Sequence, residues 1–88
     1  MKHAGPASLA SIESLLAALR ALPGLTERRP GIFYRGSVAF LHFHEDPAGL
    51  FADLKQGGAV VRQRVVTASE RRELVASARA TLEKAKAR

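Results

Sequence analysis

From Leu9 onward the apolar residues Leu9, Ile12, Leu15, Leu16, Leu19 and Leu22 recur at steps of three and four, the spacing of one helix face. Ser8 suits the N-cap position, and Pro23-Gly24 removes a donor and admits a left-handed residue. The pattern predicts a helix over 9–22. Residues 1–7 carry Gly and Pro without periodicity and are expected to be a flexible tail, leaving 8–88 as one domain. After Pro30 the period falls to two. Gly36-Ser37 separates IFYR from VAFLHFH and suits a type II′ hairpin. Asp46-Pro47-Ala48-Gly49 fits a type I turn, and Gly57-Gly58 separates LFADLK from AVVRQRVV. Pro30 cannot donate to a ladder, so it is placed at the start of an edge strand. Thr67-Ala68-Ser69-Glu70 has capping-box spacing. It precedes the stripe Leu74, Val75, Ala78 and Leu82, which predicts a second helix over 68–85.

These elements define an α+β fold of two layers, ordered αββββα, in which two helices cover one face of a four-stranded antiparallel meander. If each hairpin closes over its two central residues, Phe33 opposes Phe40, His42 opposes Asp53, and Asp53 opposes Arg62. Alternation then assigns Ile32, Tyr34, Ala39, Leu41, Phe43, Leu50, Ala52, Leu54, Val61 and Val65 to the covered face, with Gln63 its one polar entrant. The other face receives Phe33, Arg35, Val38, Phe40, His42, His44, Phe51, Asp53, Lys55, Val60, Arg62 and Arg64. Both helices are already used, so three phenylalanines would lie open among histidines and cations. A patch of that kind on a small protein marks an interface.

Composition narrows the chemistry. An 88-residue chain has room for one core, and the lack of cysteine excludes disulfides and thiolate metal sites. The run MKHAGPASLASIESLLAALRALPG is interrupted by Glu13 and Arg20, unlike a signal peptide. No segment reaches the roughly 20 apolar residues of a membrane span. A cytoplasmic protein that folds without a cofactor is expected. Fourteen Lys and Arg against eight Asp and Glu leave a net charge of +6, which attracts anions at low salt. Several of these cations sit near the ends of the chain, however, where a helix C-terminus favours them on its own.

Three uses of the open face follow. Protein–protein burial, most simply by a second copy in a homodimer, would cover Phe33, Phe40 and Phe51. Nucleic acid or another anionic ligand would use the same rings as stacking platforms beside Arg35, Lys55, Arg62 and Arg64. A metal-dependent enzyme would use His42, His44 and Asp53. Two histidines on one strand face stand about 6–7 Å apart, and the carboxylate would be the third ligand. His3 is the other donor, but it lies in the expected tail. No catalytic residue is assigned. A His–Asp pair is a fragment of a triad, Ser37 is a turn residue, and no motif places a nucleophile. A non-enzymatic binding module is therefore the leading expectation.

The segment Ala21 to Glu27 (ALPGLTE), followed by a hairpin with Arg35-Gly36-Ser37-Val38-Ala39-Phe40, resembles the opening of the MmcQ/YjbR-like family of small bacterial proteins. That resemblance covers about residues 12–66. It implies a frataxin-like layout of helices against an antiparallel sheet, and in some members a DNA-binding role. The run His42 to Asp46 (HFHED) is similar to a His-x-His-x-Asp run in some uncharacterised bacterial luciferase-like domains.

Overall fold

The computed structural model describes residues 2–86. The elements run β1 (Lys2–His3), α1 (Pro6–Ala10), α2 (Glu13–Arg20), β2 (Thr26–Arg29), β3 (Ile32–Arg35), β4 (Val38–Asp46), β5 (Gly49–Gln56), β6 (Ala59–Arg64) and α3 (Ala68–Lys86). The class is the expected α+β, but the antiparallel sheet has six strands where four were expected. Five are in the order β2-β3-β4-β5-β6, and β1 pairs with β4. Among the described residues no helix is long and apolar enough to cross a membrane.

Each added strand has a local cause. Pro30-Gly31 is the turn of a β2–β3 hairpin rather than the start of an edge strand: Arg29 opposes Ile32 across it. Proline presets the first turn position, and Gly31 at φ +76° supplies the left-handed second one of a type II turn. Glu27 steadies the loop by accepting the Gly31 N–H at 2.9 Å while also bonding Arg20 of α2. A Cβ on Gly31 would sit 2.6 Å from Leu9 Cδ2. Gly31→Ala should therefore cost about 1–3 kcal/mol, read from the urea unfolding midpoint.

The other addition corrects the expected tail. Lys2 and His3 form β1, opposite Glu45 and His44, and α1 begins at Pro6. Ser8 is not a cap. Its hydroxyl donates to Glu45 Oε2 at 2.7 Å, and the Gly5 N–H donates to the same oxygen at 2.6 Å. The expected helix over 9–22 is broken at Ser11-Ile12, where Ser11 Oγ donates to the Ser8 carbonyl at 2.6 Å and Ile12 leaves helical geometry. A serine hydroxyl that bonds back to the preceding turn offers the backbone an alternative to the helix ladder.

The three expected hairpin turns are present, with Arg35 opposite Val38, Asp46 opposite Gly49 and Gln56 opposite Ala59. The capping box is made as well. Glu70 N–H donates to Thr67 Oγ1 at 3.1 Å, and Glu70 Oε1 accepts the Thr67 N–H at 2.9 Å. One core results. Ile12, Leu15, Leu16, Leu19 and Leu22, with Leu74 and Ala78 of α3, close over Phe33, Phe40, Leu41, Phe43, Ala52, Leu54 and Val65.

Phe33 and Phe40 therefore leave the open face to which alternation had assigned them. Tyr34 opposes Ala39 and Phe33 opposes Leu41, so Phe40 is the extra residue of a β-bulge. The bulge lets Phe33, Phe40 and Leu41 all enter the core, at 1%, 4% and 1% exposure. Arg35, two residues beyond Phe33, changes side with it. Ile32 and Tyr34, expected in the core, are half-buried, and the Arg28 guanidinium stacks over the Tyr34 ring at 4.3 Å.

Candidate metal centre

Beyond the bulge the expected register holds. His42 opposes Asp53 and Asp53 opposes Arg62, while His44 opposes Phe51 and Phe51 opposes Arg64. These two rows share the face that the helices leave uncovered, with Lys55 and Val60 further along it. Phe51 is the one phenylalanine left there, and it is half-buried. The apolar area that favoured a homodimer is reduced accordingly. The stacking platform expected for nucleic acid is reduced in the same way. Its cations are also partly engaged, Arg62 with Asp53 and Arg64 with Glu70 at 2.9 Å.

The face instead concentrates imidazoles around a buried carboxylate. Asp53 is the buried charged residue of the sheet, with its side chain 8% exposed. Burying a carboxylate is costly unless it is paired and hydrogen-bonded, and here it is both. Arg62 grips it with two bonds, Nε to Oδ1 at 2.7 Å and Nη2 to Oδ2 at 2.9 Å. His44 Nε2 lies 2.9 Å from Oδ2, and His42 Nε2 lies 3.4 Å away. The Arg62 guanidinium overcomes desolvation and holds the Asp53 carboxyl down at about 2. The ionised carboxylate can only accept, so His44 Nε2 carries the proton of that bond.

That assignment settles the other nitrogen. In the neutral ring His44 Nδ1 has a free lone pair, and it is buried with no hydrogen-bond partner among the described residues. The two other histidines crowd the same ring. The His42 ring meets the His44 ring edge-on at 4.6 Å, and His3, carried in by β1, lies 5.5 Å and 5.2 Å from the two rings. One nitrogen from each of the three falls within 4.8 Å of the others. Three nitrogens on a tetrahedral zinc ion stand about 3.3 Å apart, so each needs to move inward by less than about 1 Å. Burial, reinforced by the neighbouring His44, pushes the His42 pKa down and favours the neutral form that can bind a metal.

The structure groups His42 and His44 with His3, whereas the sequence had offered Asp53 as their companion. Both Asp53 oxygens are already engaged, by Arg62 and by His44, as those of a carboxylate partner to a ligating histidine would be. Carboxylates commonly fix the tautomer of a ligating histidine in this way. The third histidine of the cluster is His3, which the sequence could reveal only by placing residues 2 and 3 in the sheet. Comparison of the chain with protein-family models, with curated protein sequences and with solved structures returned no match.

Proposed function

We propose that this protein is a metal-binding module that holds one divalent transition-metal ion through His3, His42 and His44. The observation that carries the reading is the cluster itself, in which one nitrogen from each of His3, His42 and His44 falls within 4.8 Å of the others, beside an unpartnered buried nitrogen on His44. An all-imidazole donor set suits zinc, copper or nickel over magnesium or calcium, which prefer oxygen. Asp53 and Arg62 would orient His44 from behind, and the exposed edge of the cluster at His3 and His42 gives the ion a route in from solvent. The reading keeps the expected open face as the working surface and makes it one for a small cation.

The test is zinc titration of tag-free protein by calorimetry or against a chromophoric chelator, with cobalt as a spectroscopic probe. One ion per chain is expected, with uptake weakening in acid as protons compete for the ligand nitrogens. Loss of an outer partner typically lowers affinity by about 10–100-fold, so His44→Ala, which removes a ligand, should lower it more than Asp53→Asn. Zinc affinity unchanged in His44→Ala would refute the assignment.

A further inference from the structure

The three donors are not carried alike. His42 and His44 sit on β4, a strand with β5 along one side and β3 and β1 along the other. His3 sits on a strand of two exposed residues. The attachments of β1 are few and polar. Its pairing places Lys2 opposite Glu45 and His3 opposite His44, and the Ala4 N–H donates to the Phe43 carbonyl at 3.1 Å. Glu45 Oε2 takes the Gly5 N–H and the Ser8 hydroxyl. The Lys2 ammonium lies 3.7 Å from Glu45 with its side chain 82% exposed. Neither strand residue is buried, so no apolar anchor on β1 itself opposes its release. Segments with few buried contacts open locally at low free energy.

Resting on the metal-binding reading, we infer that metal uptake and docking of β1 are one coupled event, the ion stapling β1 to β4. The three-histidine site exists only while β1 is in place. An ion that binds the docked form and binds the two-histidine remainder weakly must shift the population toward docking. At zinc a hundred times its dissociation constant that shift is about a hundredfold. Linkage makes the effect reciprocal, so loosening β1 costs metal affinity. The occupied state closes the upper edge of β4, and the empty state leaves the backbone groups of residues 43–45 on that edge free to pair elsewhere. The device converts metal availability into the presence or absence of an open strand edge.

Amide hydrogen exchange on the full chain, with zinc or with a chelator, separates the possibilities. In the wild type, zinc should slow exchange of the Ala4 and Gly5 amides at least tenfold. In His3→Ala, which keeps His42 and His44, it should not slow them, and zinc binding should weaken at least tenfold. In Glu45→Ala, which removes an anchor of the segment without removing a ligand, the Ala4 amide should exchange faster under chelation and be brought back by zinc, while the Gly5 amide, whose acceptor is deleted, should stay fast. Zinc uptake with unchanged Ala4 and Gly5 exchange would overturn the staple while leaving the site standing. Full zinc affinity in His3→Ala would also overturn it. A wild type that takes up no zinc would overturn the site and the staple together.

Discussion

Phe33→Ala should destabilise the protein by about 3–5 kcal/mol, the usual cost of truncating a buried phenylalanine. Phe33 is 1% exposed, opposite Leu41 and in the cluster formed with the α2 leucines. A small domain has only about 5–15 kcal/mol of net stability, so the variant should be near the limit of folding at 37 °C. Phe51→Ala is the control. Phe51 occupies the uncovered face and is half-buried, so its truncation should cost less than half as much. Urea unfolding of both variants, compared at constant m-value, checks the pair. Equal costs would mean that Phe33 shares the environment of Phe51, and the bulge at Phe40 would then be wrong.

The second large effect belongs to Asp53. Its carboxyl titrates near 2 in the folded protein, held there first by Arg62 and against desolvation. In the unfolded chain an aspartate titrates near about 3.9. A depressed folded value stabilises the fold above the unfolded pKa, and that contribution disappears as pH falls through the folded one. The difference corresponds to about 2–3 kcal/mol, present above about pH 4 and lost between there and pH 2. Asp53→Asn should remove this part of the acid dependence. Asp53→Ala should cost about 2–3 kcal/mol at neutral pH, below the range for a fully buried pair because Arg62 is half exposed and can re-enter water. Thermal melts of the metal-free protein from pH 2 to 7 decide the matter. An Asp53→Asn profile parallel to the wild type would refute it.

The part of the site that could be read in the chain is the part fixed by tight turns. Asp46-Pro47-Ala48-Gly49 and Gly57-Gly58 set the register of β4, β5 and β6, so the row His42–Asp53–Arg62 follows from counting. Counting failed at Phe40, because a bulge adds a residue that alternation does not signal, and every side chain of β3 changed face as a result. Pro30-Gly31 carried a turn signal of its own, but β2 (TERR) has no apolar alternation to suggest a strand before it. His3 was out of reach for a different reason. Two residues cannot display a period, and the groups that hold them are supplied by Glu45 and Phe43, about forty positions away.

The connectivity of the sheet also sets an order in time. From β2 to β6 every neighbouring pair is a hairpin joined by a two-residue turn, and such units close in about 1–10 μs. Pairing of β1 with β4 must instead close a loop of some forty residues, from Gly5 to Glu45, and non-local closure is the slower step in folding. On refolding, the pair of histidines on β4 is therefore expected to form with the meander, and the third to arrive afterwards. On the proposed metal-binding reading, a chain folding in a metal-containing solution would meet the ion first as a two-toothed comb and only later as a closed clasp.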